Sequence, residues 1–230
     1  MKPRACIFDA YGTLFDVHSV VQRAGAGLTG DLRALSILWR RKQLEYTWLR
    51  ALMERYEDFW CITEAALRAA ACELSIAVTD EQVERLMAGY LAPAVFPDVV
   101  ATLEQLKGSP MAILSNGSPA MLDAAVRNNL LDAHFAEVIS VDCVRTYKPS
   151  PRVYILGPQR LRMPAGDILF VSSNSWDAAG AKAFGYRVCW CNRIGASMEG
   201  LGFAPDFVVQ SLERIPEIFG TRLHSHLVRK

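Results

Sequence analysis

Lysine is scarce in this chain: of 25 basic residues only 6 are lysine, and the other 19 are arginine. A lysine in a loop, such as Lys148, is therefore less routine here than in an average protein. No charge of one sign dominates. The formal net charge is +1, so no strong field points to nucleic acid or a membrane surface, and neither is expected as a partner. No apolar run is long enough to span a bilayer, and no signal-like segment precedes the first strand. Internal repeats and low-complexity segments are also missing. None of the 6 cysteines, Cys6, Cys61, Cys72, Cys143, Cys189 and Cys191, belongs to a C-x-x-C pair. They read as reduced, mostly buried thiols of a cytoplasmic protein. Alternation points Cys189 and Cys191 to one face of a strand, but Trp190 between them and the lack of further ligands argue against a metal site. The closing residues 221–230 read as a loose tail, with His224 and His226 solvated rather than paired on a metal.

What remains is a chain of 230 residues, 51% of them hydrophobic, enough for one sizeable core or a core domain with a small insertion. Its organising stretch is Ala5–Asp16, A-C-I-F-D-A-Y-G-T-L-F-D. A short apolar run, Cys6-Ile7-Phe8, stops abruptly at Asp9, and Gly12 and Thr13 follow. A buried strand ending in a carboxylate before a glycine turn is how an α/β sheet presents a reactive group at a crevice. An Asp that merely caps the turn is the alternative.

From residue 17 to about 92 the pattern is helical. Leu35, Leu38, Leu49, Leu52 and Tyr56 form one stripe of a helix expected over Leu32–Tyr56, and Ile37, Leu44 and Trp48 form a second. A helix apolar on two sides packs against two things, which suggests a neighbouring helix and a second subunit, hence a homodimer. Arg40 lies between Ile37 and Leu44, so its stem runs beside apolar groups. It is either a snorkelling surface arginine or a cation at the rim of an apolar pocket. Thr63 is a candidate cap for the next helix, and Thr79-Asp80-Glu81-Gln82 is a capping box for another. Ala92–Pro97 reads as a linker, and Pro97 opens a helix ending at Gly108.

Beyond Pro110 the chain alternates. Strands are expected at Met111–Leu114, Glu137–Val141, Asp167–Val171, Arg187–Cys191 and Asp206–Val209. Helices begin at Ser118-Pro119, Ser150-Pro151 and Asp177. Short apolar strands alternating with helices predict an α/β fold, a doubly wound parallel-sheet (Rossmann-like) core. Residues 1–16 and 97–220 would form that core, and residues 17–96 an inserted all-helical cap subdomain over the C-terminal end of the first strand.

Loops after the strands of such a sheet share one face. Strand one delivers Asp9, Tyr11 and Thr13 there. The next delivers Ser115-Asn116-Gly117-Ser118, the third leads to Tyr147-Lys148-Pro149, and the fourth gives Ser172-Ser173-Asn174-Ser175-Trp176-Asp177. Singly, Ser118, Ser150 and Asp177 read as helix caps. Together the four loops bring hydroxyls, amides, a lysine and two carboxylates to one edge.

These motifs resemble the haloacid dehalogenase superfamily, with D-x-x-x-T on the first strand, a serine after the second, K-P before a helix and an acidic motif after the fourth. F-D-A-Y-G-T-L, S-N-G-S, Y-K-P-S-P-x-V-Y and S-S-N-S-W-D are most similar to its L-2-haloacid dehalogenase branch, over residues 3–219. The superfamily's phosphatases carry D-x-D, whose second Asp is a general acid. Tyr11 stands there in this chain, and a leaving halide needs no proton. Their fourth motif carries acidic metal ligands, whereas here Ser172 and Asn174 occupy the run and Asp177 alone is acidic. That is too few hard ligands for Mg²⁺, so neither a metal nor a cofactor is expected.

The resemblance implies hydrolysis of short (S)-2-haloalkanoic acids to (R)-2-hydroxy acids. Asp9 would attack the carbon bearing halogen and form an ester. Lys148 would keep Asp9 anionic, and Asp177, with Asn174 and Ser172, would help activate water. Ser115 and the backbone around Ala10 and Tyr11 would hold the substrate carboxylate. Arg40, Asn116 and Trp176 would receive halide. Tyr11, Leu44, Phe59 and Trp176 would wall the pocket, and Thr13 and Tyr154 would orient Asp9 and Lys148. Arg41 receives no role. The rivals are a phosphatase or phosphonate hydrolase on the same fold and a non-catalytic binding protein. Tyr11 opposes the first, and the presence of both Asp9 and Lys148 opposes the second.

Overall fold

A computed structural model describes residues 2–220 of the chain. The expected tail at 221–230, with His224 and His226, lies outside the described residues. Among the described residues eight strands run in chain order: β1 (Ala5–Phe8), β2 (Phe15–Asp16), β3 (Ala94–Val95), β4 (Met111–Ser115), β5 (Glu137–Ser140), β6 (Ile168–Ser172), β7 (Arg187–Cys191) and β8 (Phe207–Val209). Six of them form one sheet in the order β5-β4-β1-β6-β7-β8, and every neighbouring pair is parallel. β1, β4 and β6 are buried along their whole length, which is why they read as continuous apolar runs without alternation. The chain builds outward from β1 through β4 to β5, then returns to β6 on the other side of β1. That reversal places the crevice of a doubly wound sheet at the C-terminal end of β1, directly above Asp9.

Four helices lie between β2 and β3: α1 (Ser19–Ala24), α2 (Leu32–Leu52), α3 (Phe59–Glu73) and α4 (Asp80–Gly89). β2 and β3 pair antiparallel, Phe15 with Val95 and Asp16 with Ala94. The segment expected to be a plain linker is thus half of a two-stranded ribbon through which the helical block leaves and rejoins the sheet. The Thr79 capping box is present in full, with Gln82 reciprocating. The remaining helices, α5 (Val99–Gln105), α6 (Pro119–Asn128), α7 (Pro151–Tyr154), α8 (Leu156–Leu161), α9 (Ser175–Phe184) and α10 (Ile215–Phe219), flank or follow the sheet. Ser118 caps α6 through its side chain, with Pro119 opening the helix.

Several local expectations are corrected. α2 ends at Leu52 and does not reach Tyr56; Glu54, just beyond, takes a left-handed φ of 54°. Its inward stripe is Leu35, Leu38 and Trp39, whereas Leu49 and Leu52 are 44% and 82% exposed. Thr63 does not cap α3. Asp58 does, accepting from the Cys61 amide, while Thr63 lies one turn inside and bonds back to the Phe59 carbonyl, a common habit of mid-helix threonine. The helix after Pro97 begins at Val99 and ends at Gln105. The helix expected after Ser150 is two short pieces meeting at Ile155. Ser150 makes no side-chain cap bond.

Candidate active site

The strand ends place Asp9 between two supports. Its amide donates to the Val171 carbonyl at 2.9 Å, so the carboxylate starts from backbone locked into the sheet. Oδ2 accepts from Thr13 Oγ1 at 3.0 Å and from Asn174 Nδ2 at 2.9 Å. Oδ1 accepts from Lys148 Nζ at 2.9 Å. The turn that follows needs glycine: Gly12 has φ 96°, and a Cβ there would meet the side chains of Asn174 and Arg40.

Lys148 is 1% exposed and reaches Asp177 Oδ2 at 2.9 Å as well as Asp9. One buried ammonium thus bridges two carboxylates. Burial works against its charge, but Asp177 and Asp9 outweigh burial and hold it above the usual lysine range. Burial pushes Asp177 above the usual carboxylate range; Lys148 pulls it back and the Asp9 charge pushes it up again. The far side of Asp177 is held by Tyr154, whose hydroxyl donates to Oδ1 at 2.7 Å. Tyr154 therefore orients Asp177 directly and Lys148 only through it, which corrects the pairing the family likeness implied. Gly180 makes this packing possible, since a Cβ there would come within 2.6 Å of both Pro149 Cβ and the Tyr154 hydroxyl.

A small cavity opens onto Asp9. Its lining is Asp9, Tyr11, Arg40, Leu44, Phe59, Ser115, Asn116, Lys148, Asn174 and Trp176. Its volume is about 10 Å³, room for roughly one water. Ten of the fifteen residues read as site candidates from sequence, Lys148 among them, thus meet around one space. Ala10, Thr13, Tyr154, Ser172 and Asp177 stand outside that lining, all of them fully buried. The Ala10 carbonyl is spent on the amides of Thr13, Leu14 and Phe15. Ser172 Oγ accepts from the Asn174 amide at 3.1 Å, so it shapes the loop that aims Asn174. Ser115 Oγ accepts from the Gly117 amide. Asn116 Oδ1 accepts from the Lys148 amide at 3.1 Å, which leaves Nδ2 as the donor end of that side chain. A larger groove of about 1200 Å³ shares Arg40 and Leu44 with the cavity but has no carboxylate in its lining. The chemistry therefore belongs to the smaller space.

Arg40 is not a snorkelling arginine. Its Nη2 donates to the Tyr11 carbonyl at 2.9 Å and its Nη1 to Gln43 Oε1 at 2.7 Å. Burial lowers it from its ordinary value, opposed by Tyr90 and Asp9, and a guanidinium remains charged throughout. Trp176 meets Trp48 edge to face at 5.3 Å. The Tyr11 hydroxyl turns away from Asp9 and donates to the Tyr90 carbonyl at 3.2 Å. Arg41 instead pairs with Glu73 on the surface at 3.7 Å.

Magnesium, which phosphatases of this fold use, does not fit these residues. The hydroxyl of Tyr11 is aimed elsewhere, Asn174 turns its amide nitrogen to Asp9, and the Lys148 ammonium fills the space between the two carboxylates. Among the described residues no group of three His, Cys, Asp or Glu could hold a metal ion.

Sequence reasoning missed three supports. Gln43, fully buried, links Arg40 to Thr63; its place one helical turn from Arg40 was the one local mark it left. Arg193 grips Asp98 through two bonds of 2.8 and 3.0 Å and donates to the Thr13 carbonyl at 2.9 Å, tying the start of α5 to the Asp9 turn. Tyr56 stacks on Tyr147 with ring centroids 5.1 Å apart and donates to Asp142, joining the helical block to the loop before Lys148. The latter two join residues far apart in sequence and left no local mark.

Comparison with known proteins places this arrangement among relatives. The family model for haloacid dehalogenase-like hydrolases matches residues 3–185. An (S)-2-haloacid dehalogenase of Pseudomonas sp. (strain YL) is 49% identical over 216 residues, covering 93% of each chain. The (S)-2-haloacid dehalogenase H-109 of Pseudomonas putida is 47% identical, covering 92% of this chain and 96% of its own. The structure of an L-2-haloacid dehalogenase from Xanthobacter autotrophicus with chloropropionic acid covalently bound superimposes with a TM-score of 0.89 at 37% identity, covering 94% of this chain and 98% of that one.

Proposed function

The chain belongs to the haloacid dehalogenase-like hydrolases, and we propose that it performs the (S)-2-haloacid dehalogenase reaction with Asp9 as nucleophile. It hydrolyses the carbon–halogen bond of short (S)-2-haloalkanoic acids and yields the (R)-2-hydroxy acid. The observation that carries this reading is the unequal loading of Asp9. Oδ2 has two donors, Thr13 and Asn174, while Oδ1 has Lys148 alone.

Oδ1, with fewer donors, attacks the carbon from the side opposite the halogen. The new C–O bond forms as the C–halogen bond breaks, and the halide leaves with both bonding electrons. Arg40, Asn116 and Trp176 receive it; a broad guanidinium suits a large, weakly hydrated anion better than an ammonium. Ser115 and the Tyr11 backbone hold the substrate carboxylate, and Leu44 and Phe59 face its alkyl group.

Water then attacks the Asp9 carbonyl carbon. Negative charge develops on Oδ2, where the Thr13 hydroxyl and Asn174 amide already point, so they serve as the oxyanion hole. The water's proton passes to Asp177, whose raised proton affinity suits a base. The bond from Cγ to Oδ1 breaks, Lys148 protonates the departing alkoxide, and Asp177 returns a proton to Lys148. Each turnover releases one hydroxy acid, one halide and one proton.

Residues 17–96 act as a cap over a core made of residues 1–16 and 97–220. The protein works as a homodimer in the cytoplasm. The outer face of α2 supports the dimer, since Ile37, Leu49 and Leu52 leave apolar surface open. No helix among the described residues is long and apolar enough to cross a membrane. Halide release from L-2-chloropropionate, with p-nitrophenyl phosphate as the competing substrate, tests the activity. Phosphate release without halide release would overturn it in favour of a phosphatase. Sedimentation as a monomer at micromolar concentration would remove the dimer.

A further inference from the structure

Arg40 is held by two neutral acceptors, and one of them is itself held by a buried chain of hydrogen bonds. The Phe59 carbonyl can only accept, so it fixes the Thr63 hydroxyl as a donor to it. Thr63 Oγ1 must then accept from Gln43, whose Nε2 lies 2.6 Å away. With Nε2 committed, Gln43 can only turn Oε1 toward Arg40, and it accepts from Nη1 at 2.7 Å. Gln43 and Thr63 are both fully buried, so water does not compete along this chain. Its direction is set from one end by a backbone carbonyl on α3.

We infer that Gln43 is a positioning residue for the halide site: it fixes the Arg40 guanidinium toward the cavity while leaving its positive charge uncancelled. The inference rests on the reading of Arg40 as the cation that receives halide. Two properties of Gln43 matter separately. Its length lets one amide reach both Arg40 and Thr63. Its neutrality means that Arg40, already bonded to the neutral Tyr11 carbonyl, meets the leaving anion with its charge intact. A carboxylate at the same position would hold Arg40 equally well but neutralise it, and a thioether would leave it unheld.

Product inhibition by bromide and chloride tests this, measured beside kcat and KM for L-2-chloropropionate. Gln43→Glu keeps the length and removes the neutrality; it also loses the Nε2 donor, so the Thr63 hydroxyl turns from the Phe59 carbonyl to the new carboxylate. Thr63→Val keeps the shape and cuts the relay without touching Arg40, while Thr63→Ser keeps the hydroxyl. Arg40→Lys tests the underlying reading. Gln43→Glu is expected to weaken halide inhibition by about tenfold or more, the scale of a buried bond to a charged group, and to lower kcat more than it raises KM. Thr63→Val moves both in the same direction by less, and Thr63→Ser restores wild-type behaviour. A general packing role would not separate valine from serine in this way, nor single out halide. If Arg40→Lys weakens halide inhibition while Gln43→Glu and Thr63→Val inhibit like wild type, the role of Gln43 is overturned and that of Arg40 stands. If Arg40→Lys, or the wild-type enzyme itself, shows no halide effect to lose, both are overturned.

Discussion

Replacing Lys148 by methionine leaves a chain of similar shape with two buried carboxylates and no cation between them. Lys148 lies 2.9 Å from both Asp9 and Asp177, and all three side chains are 8% exposed or less. Removing one partner of a buried ion pair costs about 3–5 kcal/mol, against a total folding stability of roughly 5–15 kcal/mol. Lys148→Met is therefore expected to be inactive and destabilised by a large share of that total. Two further consequences follow from the bridge. The stranded carboxylates take up a proton in the folded state, so their folded pKa values rise above the unfolded ones. Stability from that uptake is present at low pH and lost as pH rises through the folded values, so the gap to wild type widens with pH. The penalty also belongs to the pair. In Lys148→Met/Asp177→Asn the second change removes the more deeply buried of the two stranded charges and its repulsion with Asp9, while Tyr154 still donates to the amide oxygen at position 177. Urea unfolding at fixed protein concentration, at acid and neutral pH, measures the four corners of this cycle. The double variant is expected to be more stable than Lys148→Met, with a coupling at the upper end of the 0.5–3 kcal/mol seen for contacting residues. Additive losses, or a gap that shrinks with rising pH, would refute the bridge as the organising contact.

Asp98→Asn separates the clamp on the Asp9 turn from the chemistry. Burial alone would raise Asp98, but Arg193, the Leu212 amide and Ser211 hold it below the usual carboxylate range. Its contribution is full above the unfolded value of about 3.9 and fades as pH falls through the folded one, so the variant and wild type should converge in acid unfolding; a constant difference would contradict this. Dehalogenation should survive EDTA, because Tyr11, Ser172 and Asn174 leave too few hard ligands for a divalent ion, and loss restored by magnesium would revive the phosphatase reading. Leu44→Ala removes a side chain shared by the cavity and the larger groove, and should raise kcat/KM for longer 2-haloacids relative to chloropropionate. Unchanged chain-length selectivity would take Leu44 out of the wall.

The sheet was legible because β1, β4 and β6 are buried on both faces, and such strands announce themselves as apolar runs ended by a polar residue. The loops at their tips were legible for the same reason: a doubly wound sheet gathers them at one edge, so Asp9, Ser115, Lys148 and Asn174 could be brought together without coordinates. Hydrogen-bond partners were less accessible. Tyr154 was assigned to Lys148, but its hydroxyl reaches Asp177, a difference of one side chain that spacing does not resolve. Helical period marked α2 but not which residues face inward: Leu49 and Leu52 share a stripe with Leu35 and Leu38, yet the first two are exposed and the last two buried. Thr63 looked like a cap because threonine favours both a cap and a bond to the carbonyl four residues back; Asp58, immediately before the apolar run of α3, was the better signal. Gln43 was passed over because a glutamine on a long helix reads as surface until its neighbours are known.

The dehalogenation mechanism differs according to whether Asp9 itself attacks carbon. An Asp9 acting as a base, with water attacking directly, would yield the same inverted product. A single turnover in heavy-oxygen water, with enzyme in excess over L-2-chloropropionate, tells them apart. Direct attack by Oδ1 delivers an ordinary oxygen to the hydroxy acid and leaves the heavy oxygen in the Asp9 carboxylate, where mass spectrometry of the N-terminal peptide will find it. Heavy oxygen in the product with Asp9 unlabelled would contradict the ester intermediate.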